Sequence, residues 1–286
     1  MKYLKYFFQF LFIIFLLIFF KSIGLKLSRV IATYIFLFLG PLFRSKKIIE
    51  KNISIAFPNK NQNFRKNIIR KMWKNYGKIF SEYIFIKNFK ENKTEKFLQV
   101  KGQKILDKIK ISKDPVIFVS GHFNNFELMA MHIEKSGIDL AAIYRPLNNN
   151  FLNPLMENIR KKYICSKQIK KGISGTKKIL KFFNSGTSIA LMIDQRVSQG
   201  IKANFFGKLA YTTTIPAQFV KKFNAKIVPI YIERLKENKF SLEIYDPLVF
   251  NKTCSILEIT NKLNHILEKM ILKNPDQWIW THNRWK

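Results

Sequence analysis

Five short segments rich in β-branched and apolar residues, PVIFVS, IDLAAIY, SIALMID, AKIVPIYIE and FSLEIYD, recur between residues 115 and 246. Each has the length and composition of a largely buried strand. Stretches with apolar residues at helical intervals lie between the early ones, over 124–136, about 150–163, and 174–184. TIPAQFVKKF begins another helix, with Thr214 placed to cap it and Pro216 tolerated in its first turn. A last long helix is expected over about 254–273, and FPNKNQNFRKNIIRKMWKNYGKIFSEYIFI reads as one or two helices. Strands alternating with helices predict an α/β fold, a mainly parallel central sheet flanked by helices. In such sheets ligands bind beyond the carboxyl ends of the strands. His122, Arg145 and Asp194 each fall just after a predicted strand.

The first 43 residues have another character. YFFQFLFIIFLLIFF (6–20) is apolar on every helical face, and VIATYIFLFLGPLF (30–43) comes after KSIGLKLSR. Fifteen helical residues span about 22 Å, short of the ~30 Å hydrocarbon core of a bilayer. No small-residue cleavage site comes after the first run, which argues against a signal peptide. The better readings are a tilted membrane anchor with Lys5 and Lys21 snorkelling, or two segments dipping into one leaflet. A buried soluble helix is disfavoured because the run is apolar on every face. The basic residues Lys21, Lys26, Arg29, Arg44, Lys46 and Lys47 favour a cytoplasmic side for the rest of the chain. The expected division is a hydrophobic anchor over 1–43 and a catalytic domain over 44–286.

The 286 residues carry 51 basic and 18 acidic side chains, a formal charge of +33. Residues 44–113 hold 20 basic and 5 acidic residues, and 160–181 hold nine basic and none acidic. Solvated helix faces account for part of this, and attraction of an anionic partner for the rest. The basic stretches match no nucleic-acid reading module, so nucleic acid is not an expected partner. Two cysteines, Cys165 and Cys254, make neither a disulfide framework nor a metal spacing. The Lys/Asn-rich KNFKENKTEKF (87–97) is expected to be a loop.

Only four histidines occur, and His122 stands in SGHFNNFEL at the end of a predicted strand. On one continuous helix, His122 and Glu127 would point about 140° apart. With His122 in the turn and Glu127 in the first helical turn, the carboxylate can reach back to the imidazole. That is a base held by an orienting acid. A hydrogen-bonded structural histidine is the plainer alternative. A metal site from His122, Glu127 and His132 is disfavoured, because the spacing matches neither an i, i+4 zinc pair nor a cysteine set.

GHFNNFE resembles the HX4(D/E) signature of acyltransferases, and its glutamate form resembles the late acyltransferases of lipid A biosynthesis. IYRPLNNNFLNPLMENIR, GTSIALMIDQ, FFG, AKIVPIYIER and DQWIWTHNRWK agree with that family in order and spacing. The resemblance implies a glycerolipid acyltransferase-like fold on the cytoplasmic side of the inner membrane. It further implies transfer of a fatty acyl group from an acyl thioester, carried by acyl carrier protein, to a hydroxyl of a lipid A precursor, with no cofactor. His122 would act as general base and Glu127 would fix its tautomer and stabilise the imidazolium. Arginine is scarce, nine residues against 42 lysines. Arg145 and Arg160 are therefore candidates for gripping phosphate or carboxylate on the acceptor, unless they pair with Glu157, Asp194 or another core acid. Asp194 is expected either to pair with one of these arginines or to contact a substrate hydroxyl, and Asn125 joins the substrate-binding candidates. The terminal tryptophans suit packing or an interfacial belt. Two rivals remain, a phospholipid or glycolipid acyltransferase of the same superfamily and a non-enzymatic protein that binds anionic lipid.

Overall fold

The computed structural model describes residues 2–91 and 97–286. The chain starts with α1 (Lys2–Phe43), which bends sharply at Gly24, where φ is 77°. A left-handed backbone of this kind costs glycine no Cβ clash. The Ser28 hydroxyl lies 2.7 Å from the carbonyls of Phe20 and Gly24 and satisfies groups the bend releases. The first limb runs past the apolar run at both ends. From Lys2 to the bend it measures about 33 Å, longer than residues 6–20 alone and comparable with a bilayer core.

Next come α2 (Lys46–Ala56), α3 (Gln62–Glu82) and a short α4 (Ile86–Lys90). The loop expected over 87–97 is thus helical at its start, and its residues 92–96 lie outside the described residues. The second limb of α1 packs along α3, and Gly77 is the point of closest approach. A Cβ there would stand 2.2 Å from the Ala32 carbonyl oxygen. Only hydrogen fits at that crossing.

The α/β part runs β1 (Leu98–Lys101), α5 (Gln103–Ser112), β2 (Ile117–Ser120), α6 (Glu127–Lys135), β3 (Leu140–Tyr144), α7 (Leu152–Tyr163), β4 (Lys167–Lys170), α8 (Ile173–Asn184) and β5 (Ser188–Met192). A hairpin, β6 (Ile201–Phe205) and β7 (Lys208–Thr212), precedes α9 (Ile215–Phe223), β8 (Ile227–Arg234), β9 (Phe240–Ile244) and α10 (Ile256–Lys273). Seven strands form one sheet in the order β1-β9-β8-β2-β5-β3-β4, with β6 and β7 paired apart from it. Every neighbouring pair is parallel except β8 and β9. The mainly parallel sheet and all five strand segments read from the sequence are therefore present. Strands β1 and β4 and the hairpin are additional. The residues of β1 and β4, such as KQIK, are half polar because these two strands lie at the sheet's edges.

All four residues of β2 are buried, as a central strand covered on both faces requires. Ile117, Phe118, Ile189, Ile227, Val228 and Leu242 belong to one continuous core that α6, α9 and α10 join through Met131, Phe219 and Leu267. From β2 the chain crosses β5 to reach β3, whereas from β5 it passes to β8 on the other side. Connections diverging from adjacent strands leave a crevice beyond their carboxyl ends.

Candidate active site

Register builds the centre of this crevice. Ser120 of β2 pairs with Met192 of β5, and His122 and Asp194 each stand two residues farther along. Two parallel strands in this alignment bring the two side chains together. His122 Nδ1 lies 2.8 Å from Asp194 Oδ1, and the His122 backbone N–H donates to Asp194 Oδ2 at 2.7 Å. The indole N–H of Trp278 donates to the same Oδ2 at 2.9 Å. Asp194 is fully buried, so this carboxylate is saturated by protein donors. With Nδ1–H donating to a carboxylate, the imidazole carries its lone pair on Nε2. Nε2 has no hydrogen-bond partner among the described residues, and the ring lines the cleft.

Burial alone would lower the His122 pKa. The Asp194 charge and hydrogen bond, with a contribution from Glu127, outweigh it and raise the value above 6.5. Burial pushes Asp194 the other way, yet the His122 imidazolium and the donors around it hold the carboxyl below 3.8. Both shifts favour a charged pair.

Glu127 opens α6 and does not bond His122. Its Oε1 accepts from the Tyr83 hydroxyl at 2.7 Å and from Arg160 Nε and Nη2 at 2.8 and 2.7 Å. The expected orienting contact between residues 122 and 127 is thus replaced. Asp194 holds the imidazole, and Glu127 acts on it through space. The reason is geometric, because the register supplies a carboxylate closer to Nδ1 than the helix start does. Burial and the neighbouring Glu127 charge push the Tyr83 hydroxyl well above 10, which keeps it a donor.

The remaining candidates divide. Arg145 is exposed, lines the cleft and has no ion-pair partner among the described residues, so its guanidinium is open to a ligand. Arg160 also lines the cleft, but half of its fork is committed to Glu127. Glu157, the expected alternative partner for it, instead pairs with Lys170 at 3.2 Å. Asp194 pairs with neither arginine, which corrects that expectation, and its enclosed carboxylate is instead committed to His122 and Trp278. Asn125 is likewise corrected. It is 1% exposed and donates to Glu82 Oε2 at 2.9 Å, facing the interior rather than the cleft. His132 donates from Nε2 to Gln103 Oε1 at 2.8 Å, outside the cleft lining. Burial pushes the Cys165 thiol up to about 12, which leaves it without thiolate character.

The cleft encloses about 990 Å³. Its mouth carries Arg44, Arg145, Lys171 and Arg196, while Phe118, Met129, Ile133, Ala142 and Ile164 line an apolar recess. A cation-rimmed entrance above an apolar recess suits an anionic amphiphile. Three site residues escaped the sequence reading. Tyr83 and Trp278 have only tertiary partners, and His282 lies inside the C-terminal block, where the tryptophans are the more conspicuous residues. Those tryptophans pack: Trp278, Trp280 and Trp285 are buried, which excludes the belt.

The sequence is similar to that of known proteins along most of its length. The profile described as bacterial lipid A biosynthesis acyltransferase matches residues 1–286. A lipid A biosynthesis acyltransferase of Haemophilus influenzae is 25% identical over 248 residues, covering 85% of this chain and 78% of its own length. The lipid A biosynthesis lauroyltransferase of Escherichia coli is 24% identical over 251 residues, 85% of this chain and 79% of its own. The palmitoleoyltransferase of the same organism is 22% identical over 249 residues, 86% of this chain and 80% of its own. A match that runs the length of the chain, over a fold whose strand ends converge on one cleft, has a single meaning: this protein belongs to the bacterial lipid A biosynthesis acyltransferase family.

Proposed function

We propose that the protein is a membrane-associated O-acyltransferase that moves a fatty acyl group from acyl carrier protein to a hydroxyl of a lipid A precursor, with His122 as general base. The observation that carries the reading is the His122 imidazole, locked through Nδ1 by Asp194 and open at Nε2 to a cleft with a basic mouth and an apolar recess. Nε2 takes the proton of the acceptor hydroxyl as its oxygen attacks the thioester carbonyl carbon. The tetrahedral intermediate then expels the thiolate, which receives that proton from the imidazolium. Asp194 and the Glu127 charge stabilise the imidazolium between the two steps. The Arg160 fork, squared up by Glu127 and Tyr83, and the unpaired Arg145 would hold phosphate on the acceptor.

The membrane setting is supported by where α1 meets the cleft. Asn149 donates to the Tyr6 carbonyl at 2.8 Å, and the preceding Leu147 and Asn148 line the cleft. Arg44, immediately after α1, lines it as well. A substrate with its acyl chains in a bilayer would therefore meet the cleft beside the apolar helix. The catalytic side is then cytoplasmic, on the inner membrane, where acidic acyl carrier protein is available.

The test is transfer from an acyl–acyl carrier protein to a purified lipid A precursor. His122→Ala should lose transfer by a factor of at least 10² while the protein stays in the membrane fraction. Retained transfer would remove His122 as the base. Mass spectrometry of lipid A from cells with and without the protein should differ by one acyl chain.

A further inference from the structure

An acyl transfer places negative charge on the carbonyl oxygen of the thioester, and that charge needs fixed donors. Residues 122–125 of the turn do not offer them, because their backbone N–H groups are spent: His122 on Asp194 Oδ2, Phe123 on the Gly121 carbonyl, Asn124 on the Gln277 carbonyl and Asn125 on Asn124 Oδ1. The N–H groups of Phe126 and Glu127, at the start of α6, are the backbone donors left there. Arg160 commits Nε and Nη2 to Glu127, and the rest of its fork is assigned above to the acceptor phosphate. A side chain on another element can add a donor.

His282 is such a side chain. It lines the same cleft, on the C-terminal segment beyond Trp278 and Trp280. The Asn52 amide holds that segment by donating to the carbonyls of Trp280 and His282 at 2.8 and 2.6 Å. The backbone N–H of Arg196, two residues after Asp194, donates to His282 Nε2 at 2.9 Å. A ring nitrogen that accepts a backbone N–H has no proton of its own, so the proton of the neutral ring sits on Nδ1. Nδ1 has no protein partner among the described residues and is not an enclosed, unsatisfied atom.

We propose that the His282 Nδ1–H hydrogen-bonds the carbonyl oxygen of the acyl thioester as it becomes the oxyanion. The inference rests on the acyl-transfer reading above. When the hydroxyl oxygen bonds the carbonyl carbon, the π pair moves to the carbonyl oxygen, where Nδ1–H receives it. The acceptor proton goes to His122 Nε2. Collapse restores the carbonyl, breaks the carbon–sulfur bond and releases the thiolate, which takes that proton. His282 keeps its own proton throughout. Burial is the main cause that holds its pKa down to about 4, with the Asp194 and His122 charges acting on it in opposite senses. It is therefore a neutral, preorganised donor wherever the enzyme works.

The test uses two isosteres in the full-length protein, with a fatty acyl–acyl carrier protein and a lipid A precursor as substrates. His282→Gln can still accept from Arg196 but has no donor at the Nδ1 position. His282→Asn places an amide N–H there and gives up the Arg196 bond. His282→Gln should lower kcat roughly 10²-fold with KM within about threefold, since the bond forms only in the transition state. His282→Asn should retain at least about tenfold more kcat than the Gln variant. A wild-type kcat in His282→Gln, equal losses in both, or a change in KM alone would overturn the assignment. If the Gln variant does not fold, His282→Asn decides. A kcat within about tenfold of wild type supports the donor, and a larger loss rejects it. His122→Ala measured alongside separates the readings. Transfer that survives His122→Ala removes the base, whereas a dead His122→Ala beside a fully active His282→Gln removes only this donor.

Discussion

At the scale of single residues, the proposed base is an imidazole whose partner comes from the neighbouring strand and not from its own motif. This pairing sets the pH dependence. With His122 as the proposed base, transfer requires its neutral form, so activity should rise with pH through a midpoint above 6.5. Asp194→Asn removes the charge that raises that midpoint. The acid limb should move to lower pH, and kcat should fall roughly 10³- to 10⁴-fold because the Nδ1 proton loses its acceptor. Stability carries the same signature with its sign worked out. A raised histidine pKa contributes stability that is complete below 6.5 and fades as pH rises through the folded value. A depressed aspartate contributes above 3.8 and fades as pH falls through its folded value. The stability gap between wild type and Asp194→Asn should therefore be widest between these two limits, as urea titrations across pH would show. His122 was legible in the sequence as a base after a strand. Its partner was not, because residues 72 positions apart meet only through strand register.

At the scale of elements, a buried ionic hub joins the apolar helix α1 to the 122–127 turn. Glu82, at the end of α3, is fully buried and accepts from Arg29 Nε at 2.7 Å and from Arg234 Nη1 and Nη2 at 2.6 and 3.0 Å. Asn125 completes its shell, and Arg234 Nη2 also reaches Asn124 Oδ1 at 3.0 Å. The α1 helix, α3, the end of β8 and the 122–127 turn therefore share one carboxylate. Glu82→Gln leaves two guanidinium groups buried without their counter-charge and should cost about 3–5 kcal/mol in chemical unfolding in detergent. Arg29→Met should cost less, because Arg234 still neutralises Glu82. A larger loss for Arg29→Met than for Glu82→Gln would contradict the hub. The helix and central strand segments were readable from periodicity, and the bend at Gly24 was marked only by polar residues between two apolar runs. The edge strands were not readable, since a four-residue strand with two exposed positions has the pattern of a loop.

For the molecule as a whole, the apolar surface and the charge bear on the two proposed partners, a membrane and acyl carrier protein. Phe15, Phe38 and Leu42 of α1 are 64%, 76% and 76% exposed, and the helix is long and apolar enough to cross a bilayer. Removing residues 1–43 should release the protein from membranes, as fractionation would show. It should also lower activity in detergent, because the same cut strips Arg29 from Glu82 and bares the α3 face around Gly77 and Phe80. A truncated protein with full activity would make α1 a simple tether. Exposed α3 residues such as Lys66, Arg70 and Lys71 belong to the basic 44–113 stretch. Reversing the charge of several of them should raise KM for acyl–acyl carrier protein at low salt and change little at high salt. Unchanged kinetics at low salt would exclude this face as the docking surface.

By itself the sequence determined the fold class, the apolar start, the turn that bears His122 and the family resemblance. Each of these is local, because periodicity, composition and short motifs act between residues close in the chain. Tertiary structure alone decided which acid holds His122, that Glu127 turns to Arg160 and Tyr83, and that Asn125 faces Glu82. It also decided that α1 is tied into the catalytic body. Those outcomes depend on strand register and helix crossing, which are set by how the whole core packs and have no counterpart in any short stretch of sequence.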